Sequence, residues 1–102
     1  MSFTVQKTDK YLKIICPENI AEPEIKAWEA MTNYWLKEDF KLYLLDFSET
    51  KSIYPTFYRA ATAFSRALKT SDRQLRSVNL NEKLEKEIST AGLEGIFQQI
   101  KK

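Results

Sequence analysis

Phe3, Val5 and Lys7 alternate with polar residues at the start of the chain, and Tyr11 to Cys16 form a short apolar run broken by Lys13. With Thr8-Asp9-Lys10 between them, this pattern predicts an N-terminal β-hairpin. Asn19, Glu22 and Pro23 then precede Ile25, Trp28, Met31 or Thr32, and Trp35, which are spaced to cover one face of a helix. Pro23 suits the first helical position because the N–H it lacks has no helical partner there, whereas Glu22 is a weak cap. Leu42-Tyr43-Leu44-Leu45-Asp46-Phe47 is the most continuous apolar run, and it predicts a strand within Phe40–Phe47, central in a sheet and covered on both faces. Ser48 to Tyr54 reads as a connection with one further extended turn.

Pro55 disfavours the α conformation at Tyr54 and so limits where the next helix begins. That helix directs Phe57, Ala60 or Ala61, Phe64, and Ala67 or Leu68 inward, with Arg59, Arg66 and Lys69 outward. Thr70-Ser71-Asp72 breaks it, and Leu75, Ser77, Val78 and Leu80 suggest a short strand. Asn81 is placed to cap a helix bearing Leu84, Ile88 and Ala91, which Gly92 ends. Leu93, Ile96, Phe97 and Ile100 then return apolar side chains to the core in a final strand or turn. Strands alternating with helices require mostly parallel neighbours joined by right-handed crossovers, which makes the fold α/β.

A chain of 102 residues supports one modest core, so the expected organisation is a single domain over 1–102. An apolar fraction of 43% beside 29% charged residues fits a folded chain and opposes a disordered one. There is no apolar run long enough to span a bilayer and no leader-like N-terminus, so membrane insertion is not expected and the cytoplasm is the expected location. Cys16, the one cysteine, cannot form an internal disulfide and reads as a small buried hydrophobe. The formal charge of +2 is too small to argue for direct nucleic-acid binding. Its distribution is uneven: Arg59, Arg66, Lys69, Arg73 and Arg76 form a basic neighbourhood interrupted by Asp72. That neighbourhood is either a solvated face or an attraction for an acidic partner surface.

Histidine is absent, which excludes a Ser-His-Asp hydrolase and a histidine-containing zinc site. One cysteine excludes a Cys-x-x-Cys pair, and the poverty in glycine, only Gly92 and Gly95, excludes a P-loop and a dinucleotide fingerprint. No enzyme, metal or cofactor is expected. Glu38-Asp39, Glu22 and Glu24, and Glu82, Glu85 and Glu87 read as caps or exposed helix charges. Asp46 is less routine, because it stands at the carboxyl end of the central strand, where parallel sheets place ligand and partner sites. It is either an acceptor for backbone groups of the next loop or part of such a site. Trp28 and Trp35 read as core in preference to an exposed docking ridge.

Leu45-Asp46-Phe47-Ser48 is similar to the Leu-Asp-Leu-Ser that ends an apolar strand in the STAS domains of bacterial anti-sigma-factor antagonists. Gly92-Leu93 followed by Ile96-Phe97 is similar to the family's Gly-Leu before its last apolar segment, and the resemblance in length and element order covers nearly the whole chain. It implies a STAS-like (SpoIIAA-like) α/β fold, with an N-terminal hairpin joined to a mostly parallel mixed sheet and helices mainly on one side. The family usually has Asp-Ser-Ser/Thr-Gly at the start of its second helix, where a partner kinase phosphorylates a hydroxyl. Here Tyr54-Pro55-Thr56-Phe57 take those positions, so proline replaces the phosphoacceptor serine and only Thr56 keeps a hydroxyl.

The resemblance implies a non-enzymatic regulatory module that binds another protein, an anti-sigma factor or a serine/threonine-kinase-like regulator. Asp46, Tyr54, Pro55, Thr56, Phe57, Tyr58 and Arg59 are the expected partner-binding residues. Thr56 either caps the helix or serves as the phosphoacceptor of a phosphorylation-responsive antagonist. A third alternative is a STAS-like accessory subunit of a transporter complex, and a homodimer is compatible with all three.

Overall fold

A computed structural model describes residues 3–92 of the chain. In chain order it contains β1 (Thr4–Lys7), β2 (Leu12–Ile15), β3 (Asn19–Ile20), α1 (Glu22–Leu36), β4 (Leu42–Asp46), β5 (Ser52–Ile53), α2 (Pro55–Lys69), β6 (Gln74–Val78) and α3 (Glu82–Thr90). The hairpin, three helices and alternating strands agree with the sequence pattern. The segment from Leu93 onward, including the expected final strand or turn, lies outside the described residues.

The main sheet has the order β1-β2-β4-β6, and the smaller one pairs β3 with β5. β1 runs antiparallel to β2 and every other pairing is parallel. The hairpin turns at Thr8, whose Oγ1 accepts from the Lys10 and Tyr11 amides at 3.1 Å each. Register places Leu12, Tyr43 and Leu75 in one row and Ile14, Leu45 and Ser77 in another, all buried and on the same face. This face shares a core with residues of all three helices. The other face carries the rows Lys13, Leu44, Arg76 and Ile15, Asp46, Val78. Leu44 is buried yet stands outside the helix-side core, so β4 is central as expected but its two faces differ.

The core of α1 and α2 is aromatic. Trp28 meets Trp35, Phe57 and Phe64 edge-on at centroid separations of 5.2, 5.0 and 5.5 Å, and Phe3 stacks on Phe57 at 6.0 Å. These geometries suit the ring quadrupoles as well as excluding water. Trp28 and Trp35 are thus core residues, 1% and 4% exposed. Ala21, not Glu22, precedes α1, and its amide donates to Glu24 Oε1 at 3.0 Å.

Asn81 caps α3 as expected, its Oδ1 accepting from the Leu84 amide at 2.9 Å. Gly92 follows the helix at φ 73°, a left-handed conformation that costs glycine little.

Candidate functional site

Parallel pairing sends β2, β4 and β6 toward the same edge, so the loops at residues 16–21, 47–54 and 79–81 collect at their carboxyl ends. The first two loops are joined by the β3–β5 pair. Glu18 O accepts from the Lys51 amide at 2.7 Å, Ile20 O accepts from the Tyr54 amide at 2.8 Å, and buried Thr50 Oγ1 donates to Pro17 O at 2.9 Å. Asn81 Nδ2 adds a longer bond of 3.4 Å to Thr50 O, tying in the third loop. Since β3 and β5 lead directly into α1 and α2, the same pairing fixes both helix starts side by side.

Asp46 is 5% exposed and lies beneath these loops. Its Oδ1 accepts from the Ser48 amide at 2.9 Å and from Asn79 Nδ2 at 3.0 Å, while Lys13 Nζ stands 3.7 Å from Oδ2. Burial acts to raise its pKa, but the bonds from Asn79 and Ser48 together with the Lys13 ammonium outweigh that effect and hold the carboxyl below its ordinary value. Asn79 has φ 61°, a left-handed conformation that asparagine tolerates better than most residues. Asp46 therefore accepts from the backbone of the next loop, the first of its two expected readings, and being buried it holds the loops in place and presents little surface of its own.

At the start of α2 the seven expected contact residues separate. Tyr54 is 52% exposed, and Pro55, Thr56 and Arg59 are exposed as well. Phe57 is fully buried and Tyr58 is 8% exposed. Helix geometry decides this: once the helix begins at Pro55, positions 57, 58, 61, 64, 65 and 68 fall on its sheet-facing side. Phe57 and Tyr58 are thus corrected from contact residues to core residues. Burial first, and then the Glu87 carboxylate of α3, push the Tyr58 phenol up to about 12, so Tyr58 links two helices and stays neutral. Thr56 also differs from the capping alternative. Tyr54 occupies the cap position, and no side chain caps α2.

The basic neighbourhood disperses too. Arg59, Arg66 and Lys69 remain exposed on α2, but Arg73 Nη1 turns back to Leu36 O and Glu38 O at 3.0 Å each and to Tyr43 Oη at 3.1 Å. Arg76 lies on β6 and binds Gln74 Oε1. Cys16 is buried, and that burial, reinforced by Asp46, raises its thiol well above the usual range, leaving it unsuited to nucleophilic work.

Among the described residues no cluster of three metal-ligating side chains occurs. No helix among them is long and apolar enough to cross a membrane. The hollow beside the loops, about 260 Å³, is lined by Pro17, Glu18, Asn19 and Glu24, which include no nucleophile. What the edge offers is a surface: an exposed aromatic ring, a proline and a hydroxyl held by two paired strands.

Asn79, Lys13 and Thr50 were not singled out in the sequence. Asn79 carries a weak signal, an asparagine directly after a strand, and Lys13 another, a cation interrupting an apolar run, while Thr50 carries none.

No family model matches the sequence, and no curated protein matches it. Solved structures do. SpoIIAA, an anti-sigma factor antagonist in its unphosphorylated form, superposes with a TM-score of 0.81 at 10% identity, over 98% of this chain and 89% of its own. An anti-sigma factor antagonist from Mycobacterium paratuberculosis gives 0.83 at 14% identity, over 98% and 85%. The chain has the STAS fold. An anti-sigma-factor antagonist (STAS) domain protein from Planctomyces limnophilus agrees, with 0.84 at 9% identity over 97% of this chain and 88% of that one. Within the STAS fold, the hairpin joined to a mostly parallel sheet, with a core shared by all three helices, is the arrangement expected from Leu45-Asp46-Phe47-Ser48 and the element order.

Proposed function

We propose that the chain is a non-enzymatic regulatory module, one STAS-like domain acting in the cytoplasm, that binds an anti-sigma factor or a serine-kinase-like regulator. It does so through Tyr54, Pro55, Thr56 and Arg59, with Asp46 holding the loops beneath them. The observation that carries this reading is the outward turn at Tyr54, where a half-exposed ring begins a helix anchored by the Tyr54 amide to Ile20 O at 2.8 Å. A rigid aromatic on a fixed backbone gives contact area at small entropic cost, the property of an interface anchor. The likeness to anti-sigma factor antagonists supports the class of partner.

The test begins by identifying the partner in a pull-down from native extract and then measures its affinity by calorimetry. Tyr54→Ala is expected to weaken binding at least tenfold, whereas Lys10→Ala, in the hairpin turn at the other end of the sheet, leaves it unchanged. Equal affinities for Tyr54→Ala and the parent chain reject the surface.

A specific observation also favours the phosphorylation-responsive alternative. Thr56 is exposed in the first turn of α2, whose N-terminal end has no acidic residue to repel a phosphate. Intact-mass analysis with the partner kinase, repeated on Thr56→Ala, distinguishes it from constitutive binding.

A further inference from the structure

α2 carries no acidic residue along its 15 positions, and its three cations, Arg59, Arg66 and Lys69, are all exposed. Among the described residues none of the three side chains takes part in an ion pair or hydrogen bond, whereas those of Lys7, Lys13 and Lys51 all have carboxylate partners. Arg59 and Arg66 are seven residues apart, about 10.5 Å along the axis and nearly in line, and Lys69 lies about 4.5 Å further on. Ala63 stands between the two arginines, exposed and one turn from each, with Ala60 and Ala67 half-buried beside it. The outer face of α2 is thus a narrow positive strip with a low floor.

From this face we infer the chemistry of the partner: it presents an acidic α-helix that lies along α2, with carboxylates repeating at the spacing of Arg59, Arg66 and Lys69. This deepens the protein-binding reading above and rests on it. The low alanine floor lets a second helix approach until its carboxylates reach the guanidinium groups, and charge-assisted bidentate bonds then fix its register. A nucleic acid or an anionic membrane fits worse. Both need a broader field of cations, and α1, packed beside α2, does not extend one: its exposed Lys26 is flanked by exposed Glu22 and Glu29.

The test uses the full chain and fluorescently labelled alanine-based helical peptides of about 18 residues, long enough to hold some helix in water. In one, glutamates stand at i, i+7 and i+10, and in a second at i, i+3 and i+10, for the parallel and antiparallel orientations. A third has the same composition with its glutamates on three different faces. One matched peptide is expected to bind at least tenfold more tightly than the third, less so as salt rises, and the double substitution Arg59→Ala, Arg66→Ala removes that preference. Ala63→Phe, which raises the floor without changing charge, weakens the matched peptide. Equal binding of all three peptides overturns the proposal, as does an unaffected double variant, or tighter binding to duplex DNA or to phosphatidylserine vesicles. Tyr54→Ala separates this inference from the one it rests on. If the native partner is lost on Tyr54→Ala yet is insensitive to Arg66→Glu, at a position outside the proposed surface at the start of α2, that surface stands and the acidic helix falls; the reverse result retains the helix and rejects the tyrosine anchor.

Discussion

Asp46→Asn keeps the shape of the side chain and removes its charge. In the native structure the carboxylate accepts one backbone and one side-chain hydrogen bond, from Ser48 and Asn79, and faces the half-buried Lys13 at 3.7 Å. A hydrogen bond to a charged group contributes about 1.5–3 kcal/mol against about 0.5–1.5 for a neutral pair, so two such bonds set a loss on the order of 2 kcal/mol. Relief of the carboxylate's own desolvation offsets part of it, leaving about 1–2 kcal/mol. For a chain of this size each kcal/mol lowers Tm by about 4–8 °C.

The pH dependence is the sharper part of the prediction. The folded-state pKa of Asp46 is depressed. Its stabilisation is therefore fully present above the unfolded-state value of about 3.9 and is lost as pH falls through the lower, folded value. Urea unfolding at pH 7, 5 and 3, continued to pH 2, should show the parent chain ahead of Asp46→Asn by a constant margin at pH 7 and 5. Below that the margin closes as the parent loses what the variant never had. A margin that stays constant down to pH 2, or equal stabilities at pH 7, would refute the account of Asp46 as a charged organiser of the loops.

Arg73→Lys should lower stability by about 1–2 kcal/mol although charge is conserved, because an ammonium cannot reproduce a fork that serves Leu36 O, Glu38 O, Tyr43 Oη and Ser71 Oγ together. Thermal unfolding monitored by circular dichroism checks it, and a Tm equal to the parent's contradicts it. Phe57→Ala removes a fully buried ring that touches Phe3 and Trp28, with an expected loss of about 3–5 kcal/mol. Denaturant unfolding followed by tryptophan fluorescence measures that loss. A value near zero would mean that Phe57 does not pack in the core.

The sequence by itself determined the hairpin, the three helices, β4, β6 and the excluded chemistry, but not the two-residue β3, which is too short to show a period. Apolar spacing located the hairpin, α1, β4 and α2 because period-2 and helical repeats are local properties of the chain, and Pro23, Pro55, Asn81 and Gly92 marked boundaries through their own backbone restrictions or bonds. The absence of histidine removed whole classes of site without any coordinates. Leu45-Asp46-Phe47-Ser48 and the element order carried the fold resemblance.

Tertiary structure decided which of those residues face outward. Tyr54 to Arg59 read as one contiguous surface in sequence, yet the rotation of a helix starting at Pro55 sends Phe57 and Tyr58 into the core and leaves Tyr54, Pro55, Thr56 and Arg59 outside. Five cations close in sequence belong to a helix, a turn and a strand, so only three share a face. Asp46 finds Lys13 and Asn79 at 33 residues to either side, brought together because parallel strands end at a common edge. Local periodicity reports a side chain's neighbours along its own element. The partners that set its charge and exposure come from other elements, and only packing brings them together.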